Sequence, residues 1–431
     1  MTGIIAILID LLSSAAIMVG IISFIGLVVQ KEAPSKVING TIKTIVGFLV
    51  FSVGSAAAST ALNDFQKLFA TGFHLQGVLP LAEAVTALAQ QHFGTTVALV
   101  MTTGFVWNLL IARLTPMKYI FLTGQHNLYL AALSTIMLKS VGMSNGWIIF
   151  IGGIIVGFMS SAMPAIAQPG MRKVTGGDEI ALGHYVSLGY ALSSWIGSKV
   201  GKPEESTEKL KLPGWLSIFK DYVIGVSITM VIFYYIAAFI AGPAQVEKLS
   251  GGMSWLVYPL LQGLQFSAAL YVIITGVRLL LGEIVGAFVG ISEKVIPNAK
   301  PALDVPVVFP YAPTATVVGF ISSYAAGLLM MFVFGALKMP VIIPVAVPYF
   351  FIGATAGVFG NATGGWKGAV VGSFVIGILI AVGPSLVYPV LQSVGLKGTA
   401  FPETDFNVVA LIIKYLGQAW HSVFGTILLP L

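Results

Sequence analysis

Continuous apolar runs of about twenty residues recur along the sequence, which is the length that spans a bilayer as an α-helix. Strands of a membrane β-barrel would instead alternate apolar and polar residues. Only 9% of the 431 residues are charged, against roughly a quarter in soluble domains. The sequence therefore predicts an all-α polytopic membrane protein with about eleven transmembrane helices, some of them broken or re-entrant.

Lysine and arginine are concentrated in alternate loops between the apolar runs, and such loops usually face the cytoplasm. The basic stretches are Lys31–Lys43, Arg113–Lys118, Arg172–Lys220 and Arg278–Lys300. This pattern predicts an N-terminus outside and a C-terminus in the cytoplasm. The long polar region at 170–222 then lies on the cytoplasmic side.

One apolar region is interrupted by five prolines within the seventeen residues Pro297–Pro313. Proline removes a backbone donor and opposes a regular helix, so this segment is predicted to be broken and to line a cavity. Asp304 stands in its middle, and an acid at membrane depth is a candidate functional residue. It could bind a hydroxyl group, take its proton or hold a coupling ion, or it could only cap a helix N-terminus.

A second polar group, Thr123–Asn127, lies near the start of an apolar run. Its Gln, His and Asn side chains donate and accept hydrogen bonds without permanent charge, which suits a polyhydroxylated ligand. The alternative is hydrogen bonding between helices. Farther along, His184 is either a structural hydrogen bonder or a ligand contact, and Glu83 taken alone fits a solvated helix face.

Other chemistries find no support in the sequence. There is no cysteine, so the chain has no disulfide, thiolate metal site or cysteine nucleophile. No phosphate-binding loop, metal-ligand pair or basic patch with interleaved aromatic residues is present. We expect no metal, no cofactor and no nucleic-acid partner.

Residues 118–127 and 306–315 show a weak internal sequence similarity. Each stretch places a Phe before a polar or proline-rich turn. Paired interrupted segments are typical of transporters built from inverted repeats. The alternative is a chance similarity between apolar strings.

Six short motifs occur in one order along the chain. They are G-T-I-K-T-I-V-G-F at 40–48, L-T-G at 122–124, A-L-G-H at 181–184, K-L-P-G-W-L-S-I-F at 211–219, G-V-R at 276–278 and A-L-D…Y-A-P at 302–313. Together they resemble the ascorbate-specific membrane subunit, enzyme IIC, of the bacterial phosphotransferase system. The similarity extends over nearly the whole chain.

This resemblance implies a homodimeric permease in the cell membrane. Residues 1–431 would form one unit in which an inverted-repeat core domain and a V-shaped dimerisation domain are interleaved. The core would carry the substrate by an elevator-type movement. The chain would not be an enzyme on its own, because a separate cytoplasmic IIB protein phosphorylates the sugar from a phosphocysteine. Its cytoplasmic partners would be IIB and IIA.

The resemblance also assigns site residues. The substrate-binding positions are Glu83, Gln125, His126, Asn127, Leu128, Tyr129, His184, Tyr185 and Asp304. Asp304 would in addition be the catalytic base for the attacking hydroxyl group. The ascorbate-specific members have His where this chain has Gln125, and Gln where it has Tyr185, and Glu83 replaces a neutral polar residue. The expected substrate is therefore L-ascorbate or a related sugar or polyol.

Two other functions remain open on the sequence. An ion-coupled secondary transporter of a small polar solute would use Asp304 to carry a proton or to hold Na⁺. A membrane enzyme acting on lipid would need a metal or phosphate-binding cluster, which the sequence does not contain.

Overall fold

A computed structural model describes residues 14–73, 78–209, 222–269, 271–272, 275–276, 279, 296–337, 339–344, 346–396 and 398–424. The motif at 211–219 and the basic residue Arg278 lie outside these ranges, as do both ends of the chain.

Helices make up most of the described chain. They are α1 (Ala15–Val29), α2 (Pro34–Phe73), α3 (Ala82–Leu114), α4 (Gly124–Ser140), α5 (Asn145–Thr175), α6 (Ser187–Val200), α7 (Tyr222–Ala241), α8 (Pro243–Leu249), α9 (Pro313–Ala336), α10 (Ala346–Pro348), α11 (Ala354–Ser393) and α12 (Thr404–Phe424). Residues 257–269 are also helical, and Tyr349–Gly353 forms a π-helical turn between α10 and α11. Short 3₁₀ helices cover Pro203–Glu205, Thr207–Lys209 and Val305–Tyr311.

The predicted all-α membrane class is confirmed. Five helices of the described residues are long and apolar enough to cross a membrane, or up to six if each bent helix pair is one span. The count of about eleven crossings, which rests on the length of apolar runs, stays a prediction.

Five short strands interrupt the helices: β1 (Leu79–Pro80), β2 (Tyr119–Phe121), β3 (Ala181–Leu182), β4 (Lys300–Leu303) and β5 (Thr399–Ala400). Three of them form a parallel sheet in the order β2-β4-β3, and β1 pairs in parallel with β5. Each strand is followed within a few residues by the start of a helix. The strand ends and the helix N-termini therefore lie close together.

The proline-rich segment is broken, as its sequence predicts. Its first part is β4, Asp304 follows, and the 3₁₀ helix Val305–Tyr311 leads into α9 at Pro313. A residue before proline favours extended backbone, which accounts for a strand beginning at Lys300. The segment that lies beside Tyr119–Phe121 is Lys300–Leu303. Residues 306–311 are 3₁₀-helical, whereas 119–121 form a strand, so the two similar stretches do not have the same secondary structure. The inverted repeat stays a prediction.

Helix α11 reverses direction at Gly365, which has φ +57° and ψ −150°. The reversal brings Gly360 and Gly368 into contact across the two arms. A Cβ at Gly365 would lie 2.5 Å from the carbonyl oxygens of Lys202 and Glu205. Only glycine combines that positive φ with so close an approach.

Helix α6 packs against both arms of this hairpin and so belongs to the helical core. Ser193 Oγ donates to the carbonyl of Ala356 at 2.7 Å, on the arm before the turn. Gly372, on the arm after it, is also in contact with Ser193. Residues 187–200 of the polar region 170–222 are therefore packed into the helical core.

A charged cluster ties together the other ends of the strands. Asp178 precedes β3 and accepts from Arg172 Nε at 2.7 Å and Nη2 at 3.1 Å. Lys300, the first residue of β4, pairs with the same carboxylate at 2.5 Å. Gln168 Nε2 adds a third donor at 2.8 Å. The Arg172 guanidinium, together with Lys300 and Gln168, holds the pKa of Asp178 well below its usual range.

We predict that Asp178→Asn lowers the melting temperature of the purified protein at pH 7. A carboxyl whose pKa is depressed by folding stabilises the folded state above its unfolded pKa, about 3.9, and this stabilisation is lost as the pH falls further. The difference between wild type and variant should therefore narrow below about pH 4. Thermal unfolding at several pH values measures this, and a difference independent of pH would contradict it. Exposed Glu179, changed to Gln, is the matched control.

Candidate functional site

The three-stranded sheet brings the predicted polar residues to one edge. Parallel strands have their carboxyl ends at the same edge of a sheet. Gln125 and His126 follow β2, His184 follows β3, and Asp304 follows the central strand β4. Side chains that are far apart in the sequence therefore meet at this edge.

Close backbone contact at Gly183 positions His184. The Gly183 N–H donates to the carbonyl of Leu303 at 2.6 Å. A Cβ at this position would lie 2.5 Å from the carbonyl oxygen of Ala302. Because only glycine allows this approach, the chain can turn directly beside β4 and present His184 to the cavity.

Asp304 makes contacts of two kinds. Its Oδ1 accepts from the Val305 N–H at 2.8 Å, so the carboxylate caps the 3₁₀ helix. Its Oδ2 accepts from Gln125 Nε2 at 2.9 Å. His126 Nε2 lies 3.5 Å from Oδ1. One carboxylate thus caps a helix and also contacts two residues of the other polar segment.

Two histidine rings stand beside this carboxylate. The ring centroids of His126 and His184 are 4.2 Å apart with an edge-to-face orientation. His184 Nδ1 is 3.0 Å from the hydroxyl of Tyr190, which fixes the ring. Nitrogen or oxygen atoms of His126, His184 and Asp304 all lie within 4.8 Å of one another. Such a group can bind the hydroxyls of a polar solute, and its ligand types would also suit a cation.

These residues line a cavity of about 80 Å³. Of the predicted substrate-binding positions, Gln125, His126, Tyr129, His184 and Asp304 face it. The rest of the wall comes from short segments at the starts of α3, α10 and α12 and from the π-helical turn. The cavity therefore lies where several helix N-termini converge.

Three predicted positions lie behind the cavity wall. Asn127 and Tyr185 are buried, and the Tyr185 hydroxyl donates to Asn127 Oδ1 at 2.5 Å. Ser160 Oγ donates to the same oxygen at 3.1 Å. Leu128 packs on the neighbouring hydrophobic core. These contacts give the residues a supporting role in the structure, because they hold the segments that carry His126 and His184.

Glu83 lies in the first turn of α3, beside the cavity residue Ala82. The position of its side chain lies outside what the structure describes.

Two further acids near the cavity were not predicted. Glu403 is 4% exposed and lines the cavity. Asp405 is fully buried and caps α6, since it accepts from the N–H groups of Ser187 at 2.7 Å and Leu188 at 3.3 Å. The signal is the same as for Asp304, an acid within an otherwise apolar stretch, F-P-E-T-D-F at 401–406.

We predict that Asp405→Ala lowers thermal stability, because two backbone donors at the start of α6 lose their acceptor. Loss of a helix cap costs about 1–2 kcal/mol. Asp405→Asn keeps one amide oxygen and should be less harmful. Thermal unfolding in detergent measures both variants, with Glu179→Gln as the exposed control. An unchanged melting temperature for Asp405→Ala would show that the cap is not needed.

Comparison with known proteins identifies relatives over most of the chain. The model of the family EIIC-GAT, described as the sugar-specific permease component of the PTS system, matches residues 10–405. The ascorbate-specific PTS system EIIC component of Mycoplasma pneumoniae is 28% identical over 423 residues, covering 86% of this chain. The match covers 64% of that relative, so the chain spans less than two thirds of its length.

Proposed function

The chain belongs to the EIIC-GAT family of sugar-specific permease components of the phosphotransferase system, and we propose that it binds and translocates L-ascorbate or a similar small hydroxylated compound. A permease component of this kind is a transport subunit. The observation that carries the proposal is the meeting of Gln125, His126, His184 and Asp304 in one cavity at the ends of parallel strands.

The chemistry of these side chains suits hydroxyl groups. The Asp304 carboxylate accepts hydrogen bonds from hydroxyl donors, while the Gln125 amide and the imidazoles can donate or accept. Tyr129 packs edge-on against His126, with 5.5 Å between ring centroids, and offers an apolar surface to a carbon skeleton. A ligand held in this way has several hydroxyl groups and is small.

Phosphorylation would follow on the cytoplasmic side. These 431 residues contain no cysteine, and this supports a phosphocysteine supplied by a separate IIB protein. A substrate hydroxyl oxygen attacks its phosphorus, the P–S bond breaks, the thiolate leaves, and Asp304 takes the hydroxyl proton. The product carries a phosphate of nearly two negative charges and cannot recross the hydrocarbon core.

The finer architecture remains part of this proposal. We infer a homodimer with a core and a V-shaped dimerisation domain, about eleven crossings and an elevator-type movement of the core. The discontinuous segments around the cavity support a transport site there, because transporter sites are typically formed by broken helices.

An ion-coupled transporter is the second candidate, and the cluster of His126, His184 and Asp304 favours it because these groups can bind a proton or a cation. Sealed vesicles that contain this protein and no IIB distinguish the two functions. Concentrative uptake driven by an imposed ion gradient would support ion coupling. Uptake that requires IIB and a phosphoryl donor would support the phosphotransferase function.

We predict that Asp304→Asn abolishes IIB-dependent phosphorylation while the protein still folds. The amide oxygen can still cap the 3₁₀ helix, but an amide does not take the substrate proton. Phosphorylated product and melting temperature are measured on the same preparation, with Glu179→Gln as the control. Retained phosphorylation with a lowered melting temperature would mean that Asp304 acts only as a cap.

A further inference from the structure

Glu403 occupies a fixed position at the edge of the cavity. It lies between β5 and the start of α12 and is 4% exposed. Its carbonyl oxygen accepts from the Asn407 N–H at 3.2 Å and from Asn407 Nδ2 at 2.8 Å. The backbone that carries this acid is therefore held in place, and the residue belongs to the cavity lining.

The cavity contains two carboxylates and no permanent positive charge among the lining residues that the structure describes. Asp304 follows β4 and Glu403 follows β5, so the two acids come from different sheets. The hydrogen bonds from Gln125 and Val305 are made to Asp304. Glu403 is a second acid in the lining, and the function proposed above does not use it.

A second carboxylate affects charged and neutral ligands differently. A hydroxyl group can donate a hydrogen bond to it, which is a favourable contact for any polyol. An anionic ligand of the same shape would bring a like charge close to it in a region of low dielectric, where charge repulsion is strong. The helix N-termini around the cavity offset part of this repulsion.

We propose that Glu403 is a specificity-determining residue that favours uncharged hydroxylated substrates over anionic ones such as ascorbate. This inference rests on the proposed sugar-binding function of the cavity and narrows its substrate class. Ascorbate is an anion at neutral pH, since its enediol is ionised. L-Gulono-1,4-lactone has the same carbon skeleton and no ionised enediol, so the two compounds form a matched pair.

The experiment measures the dissociation constants of both compounds for the detergent-solubilised full chain at neutral pH. The wild type should bind the lactone more tightly than ascorbate. Glu403→Gln keeps the size of the side chain and removes its charge. It should improve the affinity for ascorbate relative to the lactone by about tenfold, as the loss of one like-charge contact predicts.

Two further variants keep the test decisive. Glu403→Asp retains the charge and should preserve the preference for the lactone, while Glu179→Gln removes an exposed charge outside the lining and should change neither affinity. If Glu403→Gln does not fold, the wild-type preference and Glu403→Ala provide the same comparison.

The outcomes separate this inference from the proposed function. Two results would overturn the role of Glu403 and leave the sugar-binding cavity in place. One is a wild type that binds ascorbate more tightly than the lactone. The other is a Glu403→Gln variant in which the affinities for both compounds change by the same factor. A wild type that binds neither these compounds nor neutral polyols would overturn the proposed function, and the role of Glu403 with it.

Discussion

Backbone groups that leave a helix at membrane depth must find hydrogen-bond partners within the protein, because hydrocarbon offers none. Lys300–Leu303 has such partners because it lies between two other strands, with Tyr119–Phe121 on one side and Ala181–Leu182 on the other. The strand pairing also determines where the polar side chains of the candidate site lie. Three polar segments separated by long helices end at one edge of the sheet, and the cavity forms there.

Much of this arrangement could be predicted from single stretches of sequence. The long apolar runs predict the helical membrane class, and the five prolines of Pro297–Pro313 predict a broken segment. Asp304 and Thr123–Asn127 could be identified because polar groups are costly inside a membrane unless they serve a purpose. The structure brings them together, with Gln125 and Asp304 joined at 2.9 Å. Their role in binding substrate stays a prediction.

Other features depend on contacts between distant residues, which no local pattern reveals. Strands of two to four residues are too short for a periodic signal, and their pairing is set by the packing of the surrounding helices. Tyr185 follows a polar motif in the sequence but points behind the cavity, where it binds Asn127. Glu403 could have been noticed by the criterion applied to Asp304, whereas its position in the same cavity required the fold.

The central claim is that the cavity between the strand ends is where the substrate binds. The absence of cysteine allows a direct measurement, because a single introduced thiol is the only one in the chain. Leu81 lies in the cavity wall and Ser198 is exposed on α6. The account predicts that a saturating concentration of substrate slows the alkylation of Leu81→Cys by a thiol reagent. The alkylation rate of Ser198→Cys should not change. Equal alkylation rates of Leu81→Cys with and without bound substrate would contradict it.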